Sequence, residues 1–297
     1  MLRARGPGPL LPVDAGDDAA VLPGGRVVTI DSLVEGVHFH GDADPESLGH
    51  KVLAVSVSDI LAMGALPDTA FLALSLPQVH LEWVDAFARG LATACAAYGV
   101  HLAGGDTTGS PGPRFLSLTL LGQLPRGRAP WTRSGARPGD RLLVTGNLGT
   151  AGGAWMRSQP SSEAVAALTR PSPPFGFVRD MPHGLVHAAM DLSDGLAVDL
   201  PRLCAASGCG ARVQPERLPA TPTVAADPER LMLQTRGGED YQLLLAVPPE
   251  AKPALEALAA STDTRLTDVG QMVAEPGAEL IGAAWPTPRF AHFGDGS

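Results

Sequence analysis

The sequence predicts a mixed α/β (α+β) protein of two domains. Three observations carry this. Short β-branched or aliphatic runs alternate with segments of helical period along the whole chain. At 297 residues the chain is long for one compact domain and suits two. Near its middle lies "PRGRAPWTRSGARPGD", a basic stretch rich in Pro and Gly, which places a boundary there. The expected domains are therefore 1–135 and 136–297.

The elements follow in order. "RVVTIDSLV" (Arg26–Val34) is rich in β-branched residues and reads as a strand. His50 to Met63 has the length and Ala/Leu content of a helix, with Gly64 as its C-cap and Ser56, Asp59 and Met63 on one face. Thr69–Pro77 is a strand. Glu82 to Tyr98 is a helix, with Val84, Phe87, Leu91, Cys95 and Tyr98 at the 3.6 period and Gly99 ending it. "VHLAGGD" leads into a Gly-rich loop, and Arg114–Leu124 is a strand. In the second half, Arg141–Gly146 is a strand followed by a Gly-rich turn and a helix. Leu185–Ser193 is a strand. Gly195–Ala206 is a helix with Ser193 near its N-cap and Gly208 as its stop. Pro201 inside it should kink or shorten it. Asp240–Pro248 is a strand, Glu250–Ala260 a helix and Arg265–Val273 a last strand.

Composition narrows the function. Hydrophobic residues make up 44% and aromatics only 5%, so small aliphatic side chains must build the cores. A net charge of −9 argues against a nucleic-acid or anionic-membrane partner. Any phosphate would need metal ions or local backbone donors. Cys95, Cys204 and Cys209 are odd in number and form no CxxC, which disfavours a disulfide framework or a zinc site. The N-terminus carries two Arg but no apolar stretch of signal-peptide length, and nothing approaches the roughly 20 apolar residues of a membrane span. The expectation is a soluble, cytoplasmic protein.

Motif absences narrow it further. GxxxxGK[ST], HRD, DFG, GxSxG and HExxH do not occur. "TGNLGTAGG" (Thr145–Gly153) has the spacing of a dinucleotide loop. It starts mid-chain, however, and lacks a strand ending in an acidic residue roughly 20 residues later. Its glycines read equally as close strand–helix packing.

What stands out is the placement of acidic residues. Asp17 and Asp18 lie in "AGDDAAVL", Asp31 in "VVTID", Asp59 inside "KVLAVSVSDILAMGA", Asp106 in "LAGGDTT", Asp191 and Asp194 in "MDLSDGL", and Glu239 in "RGGEDYQLLL". Each is at a strand end, in a Gly-rich turn or within an apolar run. Taken singly, any of them could be a cap or turn residue. If they converge, bare carboxylates would repel by about 4 kcal/mol per pair at 4 Å and an effective dielectric of about 20. Convergence therefore implies cations. An all-oxygen donor set suits several Mg²⁺ with a nucleotide, and phosphoryl transfer as the chemistry.

In order along the chain, "GDDAAVL", "TIDSLVEGVHF", "LAVSVSDILAMGA", "GGDTT", "TRSGARPGDRLLVTG", "DLSDGL" and "GGEDYQL" resemble the thiamine-monophosphate kinases, in the superfamily that includes aminoimidazole ribonucleotide synthetase. The resemblance runs from about Gly16 to Phe293. It implies direct transfer of the γ-phosphoryl of ATP to thiamine monophosphate, two α/β halves with the site between them, and a homodimer paired through the N-terminal domains. It implies Mg²⁺ ligands at Asp18, Thr29, Ile30, Asp31, Asp59, Asp106, Asp191 and Asp194, with Ile30 able to contribute only its backbone. It puts Gly105, Asp106, Arg133 and Ser193 on ATP, with Tyr98 near it. His38 and Glu239 contact thiamine monophosphate, Phe290 lies against a thiamine ring, and Asp106, Arg133 and Asp194 are catalytic. On residue chemistry alone, Arg133 reads equally as a linker charge, Ser193 as a cap, His38 as a structural histidine and Phe290 as core. The N-terminal segment is shorter and richer in Pro and Gly than the family's. Two rivals stand beside this reading. One is a purine-pathway cyclising synthetase of the same superfamily, against which "VEGVHF" and "GGEDYQL" speak. The other is a non-catalytic nucleotide-binding regulator, against which the number of metal-type carboxylates speaks. A selenophosphate synthetase would want a Cys near the N-terminus, and none precedes Cys95.

Overall fold

The computed structural model describes residues 11–287. Phe290 lies outside them. The first half contains β1 (Ala20–Val21), β2 (Arg26–Val34), α1 (Pro45–Ala62), β3 (Leu66–Leu76), α2 (Leu81–Tyr98), β4 (His101–Gly109) and β5 (Phe115–Gln123). Its strands form one mixed sheet in the order β1-β2-β5-β3-β4, with only β3 and β4 parallel. The second half contains β6 (Arg141–Thr145), α3 (Gly152–Met156), α4 (Ser162–Thr169), α5 (Phe175–Arg179), β7 (Ala188–Leu192), α6 (Leu196–Ser207) and β8 (Gly210–Val213). It continues with α7 (Pro222–Ala225), α8 (Arg230–Arg236), β9 (Gln242–Val247), α9 (Lys252–Ser261), β10 (Leu266–Val273) and β11 (Gly277–Leu280). Its sheet runs β11-β8-β10-β6-β9-β7, antiparallel except for β11 against β8.

Alternation along β2 decides which side chains meet the first-half helices. Val27, Thr29 and Leu33 are buried, while Ile30 is 67% exposed on the opposite face. The same outer face carries Phe71 of β3, in register with Thr119 of β5, which in turn pairs with Ile30. α1 starts five residues before the expected His50. Asp44 caps it, accepting from the Ser47 amide at 2.9 Å and the Ser47 hydroxyl at 2.7 Å, and Pro45 fills the first turn, where no amide partner is needed. From Ser47 to Ala62 only His50 and Asp59 escape full burial. A helix buried on all sides lies between layers, and α1 packs on α2, on β2 and β5, and on β7 and β9 of the other sheet. One large core therefore joins α1 and the first sheet to Leu143, Ala189, Leu243, Leu245 and Val247. The alternate residues Leu142, Val144, Ala188, Met190, Leu244 and Ala246 face α6 in a second core.

Two expectations change. "AGGDTT" is not a loop but part of β4, which is exposed throughout at the sheet edge. The glycines misled because they normally mark turns; here a Cβ on Gly105 would lie 1.9 Å from the Leu72 carbonyl oxygen, so glycine serves close strand approach. Pro201 does not shorten its helix, since α6 continues unbroken from Leu196 to Ser207. Short elements without their own periodicity were not anticipated: β1, β8, β11, α4, α5, α7 and α8. Among the described residues no helix is long and apolar enough to cross a membrane.

Candidate active site between the two sheets

The strands and helices bring four of the predicted aspartates together. Asp18, Asp59 and Asp191 each offer a carboxylate oxygen, and these atoms lie within 4.8 Å of one another. Asp18 comes from the turn before β1, Asp59 from α1, and Asp191 from β7 across the interface between halves. Asp31, inward-facing on β2, joins them through Asp59. Hydroxyls brace the group. Thr29 Oγ1 donates to Asp59 Oδ2 at 2.5 Å, Ser56 Oγ to Asp31 Oδ2 at 2.8 Å, and Ser58 Oγ to Asp191 Oδ2 at 2.8 Å. Asp18 Oδ2 is buried with no hydrogen-bond partner.

Electrostatics follow from this crowding. Burial, outweighing the neighbouring Arg133, pushes Asp18 up to about 6. Burial, and then the charges of the neighbouring aspartates, holds Asp59 and Asp191 well above the ordinary carboxylate range. Burial also raises Asp31. Carboxylates held this way favour a proton or a cation among them.

Arg133 is not loose in a linker. Its guanidinium pairs with Asp18 Oδ1, with Nε at 3.1 Å, and its amide donates to Asp17 Oδ1 at 2.6 Å. Ser193 is not the cap of α6, which is Gly195; the Ser193 carbonyl instead accepts the Glu239 amide at 2.8 Å. Asp194 pairs with Arg202 at 2.6 Å, and Arg202 also reaches Asp199 at 2.9 Å. Burial and the nearby Asp194 push Asp199 up to about 7. Gly105 and Asp106 sit on the exposed β4, outside the three-carboxylate group. The Ile30 side chain faces away from that group. Tyr98 is buried at the end of α2, edge-on to Phe175 at 5.7 Å, and burial pushes its hydroxyl up to about 12. It lines a cavity of about 480 Å³ with His50, Phe175, Gln242 and Arg265, and none of the clustered aspartates borders that cavity.

His38 and Glu239 are joined by a residue that the sequence reading passed over. Lys51 Nζ lies 2.7 Å from Glu239 Oε2 and donates to the His38 carbonyl at 2.9 Å. The available signal was a lone lysine heading an apolar helix. Ser58 was also passed over, because a hydroxyl carries no distinctive spacing, and Ser56 and Asp17 were noted without a role in the site. Asp240 accepts the Gly149 amide with both oxygens, at 2.9 and 3.0 Å, and so ties the "GGED" loop to the glycine-rich turn.

Comparison with known proteins agrees with this architecture. The family described as AIR synthase related protein matches with its N-terminal domain over residues 16–124 and with its C-terminal domain over 137–283. The thiamine-monophosphate kinase of Salmonella typhimurium is 41% identical over 88% of this chain and 84% of that protein. That of Escherichia coli K12 is 39% identical over the same shares. The crystal structure of thiamine-monophosphate kinase from Stenotrophomonas maltophilia K279a superposes with a TM-score of 0.80 at 34% identity, over 92% of this chain and 91% of that one. AaThiL complexed with AMPPCP and TMP superposes with a TM-score of 0.82 at 30% identity, over 94% and 91%. The hydrogenase maturation protein HypE, at 19–22% identity, shares the fold. Matched over both domains and at this level of identity, the chain belongs to the AIR synthase related family, among the thiamine-monophosphate kinases.

Proposed function

We propose that the protein transfers the γ-phosphoryl group of ATP to thiamine monophosphate, forming thiamine diphosphate and ADP. The carrying observation is the convergence of Asp18, Asp59 and Asp191 from three separate segments, in a chain 39–41% identical to thiamine-monophosphate kinases. A relative of this fold complexed with AMPPCP, an ATP analogue, and TMP supports both substrates. In the reaction an oxygen of the acceptor phosphate attacks the γ-phosphorus. The bond from that phosphorus to the β,γ-bridging oxygen breaks, and ADP leaves with the electron pair.

The donor set fits Mg²⁺. It is all oxygen, its members approach within 4.8 Å, and one buried oxygen of Asp18 lacks a partner. Asp18, Asp31, Asp59 and Asp191 would hold the ions, and Asp194, paired here with Arg202, would be a further ligand. Bound there, Mg²⁺ supplies charge neutralisation for the carboxylates and the polyphosphate. The chain's own residues do the rest. Arg133, paired with Asp18, would bind the polyphosphate, since its planar fork suits phosphate oxygens. Ser193 and Gly105 bind the nucleotide. His38 and Glu239 orient the acceptor, so catalysis is mainly positioning and charge stabilisation.

The assembly is a homodimer formed by residues 1–135. What supports this is the outer face of the first sheet, left uncovered among the described residues, with Ile30 67%, Phe71 43% and Phe115 39% exposed. An apolar sheet face of this kind marks an interface. Phe71→Glu is expected to convert the dimer to monomer in sedimentation velocity. A parent protein already monomeric at high concentration overturns the dimer.

The deciding experiment incubates purified protein with ATP, Mg²⁺ and thiamine monophosphate. Thiamine diphosphate and ADP in equal amounts are expected. No product at any Mg²⁺ level overturns the kinase function.

A further inference from the structure

We infer that Lys51 is a positioning residue for the phosphate acceptor, setting the placement of Glu239 and of the His38 turn; this rests on the kinase function proposed above. Lys51 is 1% exposed, among the most deeply buried large side chains of the protein. Burying an ammonium group is costly, and apolar residues of similar size generally stabilise a fold as well as a buried ion pair does. Stability alone is therefore a weak account of a lysine here. Its contacts give a better one.

Those contacts join three separate segments. Lys51 belongs to α1. The His38 carbonyl belongs to the turn after β2, whose own ring is fixed by the Val34 amide donating to His38 Nδ1 at 3.0 Å. Glu239 belongs to the second half, in the "GGED" loop before β9. One ammonium group thus fixes both residues assigned to the acceptor, one in each half of the chain.

Glu239 needs such fixing. Its φ is 61° and that of Tyr241 is 49°, left-handed values that non-glycine residues adopt only when their surroundings hold them. The Tyr241 hydroxyl donates to Glu239 Oε2 at 3.2 Å, and burial keeps that phenol protonated as a donor. Lys51 and Tyr241 both engage Oε2, on a side chain 16% exposed, and so fix the orientation of the carboxylate. Oε1 then offers a fixed acceptor to an N–H donor such as the aminopyrimidine of the acceptor substrate. Without Lys51 the carboxylate loses its buried counter-charge and is held, among the described residues, by the Tyr241 hydroxyl alone.

The test compares Lys51→Met, Lys51→Arg and Glu239→Gln by steady-state kinetics, with thermal melts to show folding. Lys51→Met should raise KM for thiamine monophosphate by about 10–100-fold, as loss of an outer partner does at metal sites. KM for ATP should stay within about twofold, and Lys51→Arg should recover part of the loss. Lys51→Met combined with Glu239→Gln should be no worse than the poorer single variant, because the two residues act as a unit. A folded Lys51→Met with unchanged KM for thiamine monophosphate overturns the inference, and so does an equal rise in both KM values. If Lys51→Met does not fold, Tyr241→Phe replaces it, and a selective rise in the same KM is required of it. If the parent protein binds thiamine monophosphate but makes no product, the kinase function falls while the positioning role stands. The same comparison, read as Kd by calorimetry, then decides it.

Discussion

At the scale of single residues, the aspartate cluster should make the protein's stability depend on pH and, if it holds the proposed Mg²⁺, on that ion as well. Asp18 is raised from 3.8 to about 6, and Asp59 and Asp191 are raised well above 3.8, chiefly by burial. The folded state therefore holds protons that the unfolded chain releases. The stability these groups contribute is fully present below about 3.8 and is lost as pH rises through their folded values. In EDTA the protein should melt lower at about pH 8 than at about pH 5. Added Mg²⁺ should raise the melting temperature more at the higher pH, since cations and protons compete for the same oxygens. An equal Mg²⁺ effect at both pH values would show that the cluster does not bind the ion. Asp59→Asn removes one charge from a group where charges repel. It should melt no lower than the parent in EDTA, lose the Mg²⁺ effect, and lose roughly 100-fold or more in kcat. Normal turnover would exclude a metal role for Asp59.

At the scale of elements, α1 is what the site hangs on. It lies between the sheets and sends Asp59 to Thr29 and Ser56 to Asp31 of the first, and Ser58 to Asp191 and Lys51 to Glu239 of the second half. Lys51 and Ser58 are seven residues apart, so they stack on one face about 10 Å apart along the axis. The apolar remainder anchors this helix rigidly. Its packing on α2 depends on a close crossing: a Cβ on Gly90 would lie 1.8 Å from the Glu46 carbonyl oxygen, and one on Gly49 would lie 2.1 Å from that of Phe87. Backbone cannot yield as a flexible side chain does. Gly90→Ala should destabilise by roughly 1–3 kcal/mol in urea unfolding and lower kcat with it, because the packed partner α1 carries Asp59 and Lys51, the residues proposed to hold metal and to position the acceptor. Unchanged stability would mean that the crossing relaxes without cost.

At the scale of the molecule, the two sheets share a core. Leu143, Ala189, Leu243, Leu245 and Val247 of the second sheet pack in the same cluster as α1 and the first sheet. Arg128 of the connecting segment adds a tie, donating to the carbonyls of Gly64, Val178 and Met181 at 2.9, 3.1 and 2.5 Å. Residues 136–297 expressed alone would expose that face of five aliphatic side chains. The expected outcome is an aggregating or poorly folded fragment, and a single unfolding transition for the whole chain in calorimetry. A soluble fragment with cooperative unfolding would show that the second half folds independently.

Much of this was legible beforehand for definite physical reasons. β2 was bounded to the residue because β-branched side chains, Val27 to Ile30 and Val34, dominate the stretch from Arg26 to Val34. α2 was clear because only one of its faces is buried, so its period shows. α1 was harder, since a helix covered on all sides shows no stripe, and its start at Asp44–Pro45 was missed. β4 was read as a loop because its glycines serve strand contact rather than a turn. By itself the sequence narrowed the chemistry: aspartate motifs with oxygen donors and no Cys, few lysines, and no charge surplus, so that phosphates would need metal ions or local backbone donors. Residue type alone carries that information. Only the tertiary structure decided which groups meet. Asp18, Asp59 and Asp191 converge while Asp106 stays on an exposed edge, Arg133 lies against Asp18, and a lysine that looked like one charge in an apolar run pairs with Glu239 of the second half. Such pairings depend on packing between segments more than a hundred residues apart, and no local pattern in the chain encodes that distance.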